Sequence, residues 1–466
     1  MRALFCSFES PGFLFPAIGL AAALRGRGHQ VAFVTDRTAE PRLRGAGLER
    51  LPRDDRDGRS FETGEWFRPL AVALQVKHIE YAMARFAPDL LVSQALALGP
   101  LVVRARCGIP VAVQGLATYL WPCGAGSVAS AATTRRRGYR HQTMLRHFNE
   151  ARVLAGLPAS DSEPEDSPLI GDLFQLRSVR ELHGAADSLP PRAHFAGACL
   201  WEPGEPDDEL AAWIVAARNA GRPIVYVHHG RACGGQAFWR SLLAGFADGR
   251  LRIAAATRSL SAEWEAALPA GAFHLRRKVE QSRVLRYADL MIGNAVSSAV
   301  LGALSHGVPC LLIPSGGEQL DLADQVERAG AGRILTPREV TAAALRRAVS
   351  HMLADVSLRR RARELQRAFA RLPGFTAAAQ QLEWLTRSQV EAHAGTSPAR
   401  SLRLGKQESI NHSVLGADIQ DAVVGDGESL GRTLHSLAPE LNAVAQAKLG
   451  NLPVFGAGED RAVRNQ

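Results

Sequence analysis

Short apolar runs alternate with helical patterns in two separate blocks of this chain, and that alternation leaves few folds open. In the first block ALFCSF leads to PAIGLAAALRGRG, then QVAFVTD, DLLVSQ, LGPLVVRARCG and PVAVQGL. In the second, PIVYVHHG is followed by AFWRSLLAGFAD, LRIAAAT, LMIGN, SAVLGALSHG and PCLLIPS. Strands that are apolar throughout are buried on both faces, and helices that end in Gly between them imply parallel pairing through right-handed crossovers. A turn-rich segment, WEPGEPDDE at 201–209, separates the blocks. The expectation is an α/β protein of two doubly wound halves, 1–200 and 210–375, joined by an acidic Pro/Gly linker. Ligands of such sheets sit at the carboxyl ends of the strands, which places a cleft between the halves.

The chain's 466 residues suit two domains and a tail, and 46% hydrophobic with 22% charged residues is a globular balance. No apolar run reaches the roughly 18 residues of a membrane span. The first residues enter a strand directly, without the zones of a signal peptide, so a cytoplasmic location is expected. Six isolated cysteines (6, 107, 123, 199, 233 and 310) lack metal-ligand spacing and read as small core residues in a reducing compartment, with no metal site. The net charge is +9, but arginines are scattered and no aromatic stripe accompanies them, which argues against nucleic acid as a partner. One basic run, TTRRRGYRH at 133–141, reads as a solvated loop or helix start, with contact to an acidic ligand or partner as the alternative. Around it, 120–165 reads as irregular structure and a polar helix. Past residue 397 the sequence turns polar and Gly-punctuated, with one helical stretch, RTLHSLAPELNAVAQAKLG. That tail, 397–466, is expected to be partly disordered or docked.

A third feature is the stretch SFESPGFLFP (7–16) between the first strand and a helix read as opening at Pro16. It is a ligand-facing edge whose sole titratable side chain is Glu9.

The run LMIGNAVSSAVLGALSHGVPCLLIPSGGEQLDLADQVERAGAG resembles the signature region of nucleotide-sugar-dependent glycosyltransferases of the GT-B, family 1-like type that decorate bacterial natural products. PDLLV, GIPVAVQ and GDLFQLRSVRELHG extend the resemblance over roughly residues 1–390. The resemblance implies two Rossmann-like domains, an N-terminal acceptor domain and a C-terminal nucleotide-sugar domain, with a helix over 376–396 crossing back to the first. It implies that a nucleoside diphosphate sugar (UDP or TDP type) is co-substrate, without a cofactor. It implies inverting hexosyl transfer to a small-molecule or peptide natural-product acceptor. The SGGEQ segment carries over Glu318 and Gln319 as contacts to the donor sugar. The helix after GNAVSS would face the diphosphate, because a helix start offers free N–H groups and partial positive charge.

Several positions depart from the family pattern. Asn294 replaces the phosphate-facing histidine, while Ser297 and Ser298 remain as hydroxyl donors. At the VHHGR strand end Arg231 falls where Ser or Thr is usual, and a guanidinium can grip a diphosphate in bidentate fashion. His228 and His229 close that strand, one expected to face the cleft and one to pack. Gln281 in RRKVEQ stays as a contact to base or ribose. Phe13 occupies the place of the family's catalytic histidine, and Gln94 that of the aspartate that orients it. Three readings follow: a transferase with Glu9 as a replacement base; a transferase whose acceptor needs no strong base; or a helper protein, or an enzyme of a biosynthetic pathway, without transferase activity of its own. A homodimer or partner enzyme is left open.

Overall fold

A computed structural model describes residues 1–395 apart from 53–59, 67, 117–118, 125–126, 128, 161–166, 185–188, 205, 230–235 and 258–267, and the side chains of 390–395. Arg231, Cys233 and the tail 397–466 therefore lie outside the described residues. Among the described residues, twelve strands form two parallel sheets of six. The first runs β2 (Gln30–Val34), β1 (Arg2–Cys6), β3 (Leu90–Gln94), β4 (Val111–Gly115), β5 (Leu173–Leu176) and β6 (Ala193–Phe195) in spatial order. The second runs β12 (Gly332–Ile334), β11 (Cys310–Leu312), β10 (Leu290–Gly293), β7 (Ile224–His228), β8 (Arg252–Ala256) and β9 (Phe273–Arg276). Central strands such as Leu90–Gln94 and Leu290–Gly293 are buried at every residue. Helices cover both faces of each sheet, which is why the strands carry no apolar–polar alternation.

Strand order reverses at one point in each sheet, between β1 and β3 in the first and between β7 and β10 in the second. The chain leaves neighbouring strands in opposite directions there and opens a crevice at their carboxyl ends. Glu9 and Phe13 follow β1, and Gln94 ends β3. His228 ends β7, and Asn294 follows β10. The topology thus gathers four dispersed motifs at two crevices.

The last described helix, Gly374–Gly395, lies against the first sheet's layer. The Phe375 ring occupies the space a side chain at Gly19 would need, and a Cβ there would sit 2.1 Å from the ring. Glu383 accepts from Arg27 Nε and Nη2 at 2.7 Å each and lies 2.8 Å from His29 Nε2. These hydrogen bonds hold its carboxyl down at about 2. Gln175 donates from β5 to the Ala378 carbonyl at 2.7 Å.

Two sequence expectations need correction. Cys107 is exposed and Cys123 half-buried, because both lie beyond the packed strands; Cys6, Cys199 and Cys310 are core residues as expected. The first helix begins at Pro11, not Pro16. Ser10 is extended, and Pro11 stands where a missing N–H leaves no helical bond unmade. Pro16 lies inside the helix, so Phe13 belongs to its first turn rather than to a loop.

Candidate functional site

The crevice of the first sheet is locked by side chains that read as chemical from the sequence. Gln94 is 5% exposed. Its Oε1 accepts the Phe8 N–H at 3.1 Å, and its Nε2 donates to the Phe13 carbonyl. Those two bonds need an amide's donor and acceptor together, and an ionised carboxylate only accepts. The Phe13 ring meets Phe8 edge-on at 5.5 Å and packs against the core. Glu9 Oε2 accepts from the Thr63 N–H at 2.8 Å and from its hydroxyl at 3.0 Å. Glu9 thereby ties the β1 crevice to the segment that carries Trp66, whose ring meets Tyr119 at 5.8 Å.

Across from it, the second sheet presents a helix start. Ser297 is the first residue of the Ser297–Ser305 helix and is buried, as is Asn294; Ser298 is half-buried. Gly293 lets β10 approach β7 closely, since a Cβ there would lie 2.5 Å from the His228 carbonyl oxygen. Gln281 donates from Nε2 to the Ser298 carbonyl at 3.2 Å. Its own N–H and that of Ser282 bind the Glu202 carboxylate at 2.9 and 3.0 Å. The acidic linker thus caps the Gln281–Leu285 helix, which braces the start of the Ser297–Ser305 helix.

Of the histidine pair, His229 is the one that packs: its ring stacks on Phe238 at 3.9 Å, and neither nitrogen has a hydrogen-bond partner among the described residues. His228 Nδ1 lies 3.2 Å from the Tyr226 hydroxyl. Burial lowers both imidazoles to about 4, and burial beside Arg137 does the same to His141. An unfolded histidine takes up its proton near 6.5, so between about 6.5 and 4 the unfolded chain binds more protons than the folded one. Stability is therefore full above about 6.5 and falls as pH drops toward about 4. A melting temperature that declines steeply over that window at fixed ionic strength is expected, and a flat one contradicts the lowering of His141, His228 and His229.

The remaining part of the site lies where the halves meet. Gly316 and Gly317 have φ of +156° and +58°, a course that favours glycine, and they deliver Glu318 to the first position of the Glu318–Arg328 helix. Gln319 folds back so that Oε1 accepts the Ser315 N–H at 3.0 Å. The basic run 133–141, read as a solvated loop or helix start, is part of a helix near its beginning: Thr134, Arg135 and Tyr139 are exposed, while Thr133, Arg137 and His141 are buried. It lies inside the Ala131–Leu154 helix, and two of its arginines are used between the halves. Arg136 and Arg140 reach the two oxygens of Asp321, itself 3% exposed, at 3.0 and 3.1 Å. Arg140 also donates to the Gly317 carbonyl at 2.6 Å and lies 5.4 Å from the Tyr119 ring centre. Thr133 donates to Asp324 at 2.5 Å. The partners are some 180 residues away in sequence, as the spacing of Arg140 and Asp321 shows.

Glu318 is subject to opposed influences. Burial pushes its carboxyl up, Arg177 and Arg140 pull it down, and Asp321 pushes it up again. Arg177, just past β5, is 4% exposed and donates from Nε to the Ala198 carbonyl at 3.2 Å. Sequence reasoning missed Arg177, Tyr119 and Asp321, and nothing local to them marks a site.

Residues 259–385 match the family model described as Erythromycin biosynthesis protein CIII-like, C-terminal domain. The chain is 26% identical over 411 residues to 4'-demethylrebeccamycin synthase of Lentzea aerocolonigenes, spanning 79% of this chain and 96% of that protein. It is 24% identical to the NDP-glycosyltransferase YjiC of Bacillus subtilis, across 80% of this chain and 94% of the relative. Among solved structures, CalG4, the calicheamicin glycosyltransferase, superposes with a TM-score of 0.63 at 22% identity, covering 83% of this chain and 98% of CalG4. The spinosyn rhamnosyltransferase SpnG complexed with thymidine diphosphate gives 0.61 at 21% identity, with 82% and 100% covered. The chain has the GT-B fold, and over about four-fifths of its length it is similar to glycosyltransferases of the natural-product type.

Proposed function

We propose that this chain moves a sugar from a nucleoside diphosphate sugar to a small natural-product acceptor, with inversion, in a cleft between halves 1–200 and 210–375. The reading rests above all on Glu318 and Gln319, which open a helix beside the carboxyl ends of β10 and β11 within the segment that matches the family model. The diphosphate is assigned to the Ser297–Ser305 helix start, with Asn294, Ser297, Ser298 and His228 around it and Gln281 toward the nucleoside. The helix dipole and neutral hydrogen-bond donors stabilise charge as it develops on the departing diphosphate.

The acceptor's nucleophilic atom attacks the anomeric carbon while the bond to the diphosphate oxygen breaks, and the acceptor's proton leaves to solvent or to the departing phosphate. Phe13 cannot take that proton, and Gln94 and Glu9 are engaged in holding the loop. The acceptor is therefore one whose nucleophile is already poised: an amine, a carboxylate, an acidic phenol or a carbon. Orientation and diphosphate stabilisation then carry the rate.

Donor binding and hydrolysis, followed with a panel of UDP- and TDP-sugars and the full chain, test the reading. Saturable binding of a nucleotide sugar, with slow release of its diphosphate, is the expected result. Neither binding nor turnover with any donor would instead favour a helper protein without transferase activity.

A further inference from the structure

Two glycines lead into Glu318, with φ of +156° at Gly316 and +58° at Gly317, so the backbone that delivers its carboxylate has wide freedom of its own. The first half holds that backbone. Arg140 Nη2 donates to the Gly317 carbonyl at 2.6 Å, and its Nη1 donates to Asp321 Oδ2 at 3.1 Å. The Gly317 carbonyl shares one planar peptide unit with the Glu318 N–H, so gripping that oxygen fixes the direction in which the Glu318–Arg328 helix starts. Asp321 lies one turn further along the same helix, on the face of Glu318. One planar guanidinium therefore holds the chain at two points on either side of Glu318. Tyr119, also of the first half, confines the same place. Its ring centre lies 5.4 Å from the Arg140 guanidinium, and its hydroxyl would stand 3.7 Å from a Cβ at Gly317. Arg136 differs: its Nη2 reaches Asp321 at 3.0 Å and the Thr133 hydroxyl at 2.9 Å and, among the described residues, no atom of the glycine turn.

We infer that Arg140 is a positioning residue for sugar transfer: from the first half it sets the peptide that carries Glu318, and so the aim of the Glu318 carboxylate at the donor sugar. This rests on the donor-site reading above. The diphosphate is assigned to the start of a different helix, Ser297–Ser305, and the Arg140 hydrogen bonds go to Gly317 and Asp321 instead. Arg140 thus acts on the sugar and not on the diphosphate. A sugar held a little out of place is felt in rate, because orientation at the reacting carbon is lost. Asp321 keeps Arg136 as its partner when Arg140 is removed, so the change leaves no unpaired buried carboxylate.

The test follows diphosphate release by the full chain from TDP-glucose, UDP-glucose and TDP-rhamnose, with calorimetric titration of thymidine and uridine diphosphate alongside. For the donor that the wild-type chain turns over fastest, Arg140→Met should lower kcat/KM by about tenfold, with the dissociation constant of the bare diphosphate unchanged. Arg136→Met removes one limb of a partly exposed ion pair and should cost less than about threefold. In a Glu318→Ala background, Arg140→Met should cost less than about twofold more, since its effect passes through Glu318. Calorimetric stoichiometry counts intact sites, so a partly unfolded sample does not mimic the loss. Arg140→Lys, whose single ammonium cannot span both partners as a fork does, should lose activity in the same sense, and it carries the comparison should Arg140→Met fail to fold. Wild-type kcat/KM in Arg140→Met, equal losses at Arg136 and Arg140, diphosphate binding that weakens in step, or an undiminished loss beside Glu318→Ala each overturns the inference and leaves the proposed function standing. No diphosphate release from any donor by the wild-type chain overturns both.

Discussion

Replacing Glu318 with alanine is expected to lower kcat/KM for sugar transfer by about 10- to 150-fold, with bare diphosphate binding nearly unchanged. The range follows from losing a hydrogen bond to a charged group, about 1.5–3 kcal/mol, at about 1.4 kcal/mol per decade. Two features make this position more sensitive than an ordinary helix start. Its carboxylate is delivered by two glycines whose backbone course other residues would strain to adopt. It is also poised between burial and two guanidinium groups, so its charge depends on Arg177 and Arg140 remaining near it. Glu318→Gln separates the two contributions, since it keeps length and hydrogen bonding but drops the charge; its loss should be the smaller. Steady-state kinetics with a hexose donor read the effect. Wild-type turnover in Glu318→Ala would show that the sugar is held elsewhere.

The strand–helix alternation made the fold legible in the sequence because parallel sheets bury every strand residue and so leave long apolar runs. LLVSQ and LMIG are such fully buried strands, and each ends at a crevice. The segments proposed for the donor, SGGEQ and GNAVSS, stand out in the sequence for a related reason: each is contiguous, and its geometry is set by local glycines or a helix start. The contacts between halves were not legible. Arg136 and Arg140 looked like a solvated charge run because nothing near them in sequence is acidic, and their partner lies on a helix of the other sheet. Arg177 sat unnoticed in LFQLRSV, where a single arginine after a strand carries no local signal. The starting point of the first helix was misplaced for another reason. Two prolines, Pro11 and Pro16, both suit a helix opening, and only the extended backbone of Ser10 decides between them. Residues that act through distant partners are invisible to pattern, and in this chain they line the seam.

The largest stability effect is expected at Gln94. Gln94→Asp should destabilise the first half by about 3–5 kcal/mol, the cost of leaving a charge buried without a partner. The shorter carboxylate forfeits the bond to the Phe13 carbonyl and turns a negative oxygen toward it, while the Phe8 N–H alone remains to satisfy it. Phe13→His by itself should cost less, because an imidazole fills most of the ring's space beside Phe8. In the double variant the imidazole can donate to the new carboxylate, so denaturant unfolding should show a favourable coupling of about 0.5–3 kcal/mol between the two changes. The same pair rebuilds an oriented base at the head of the first helix, and general-base assistance is worth about 10²–10⁴ in rate. New or faster transfer to simple alcohols or phenols by the double variant is therefore expected, whereas Glu9→Gln, which only loosens the Thr63 tie, should cost less than about tenfold. Should Gln94→Asp unfold at the wild-type midpoint, the amide is not what holds the loop. A loss of two to four orders of magnitude in Glu9→Gln would make Glu9 the base after all.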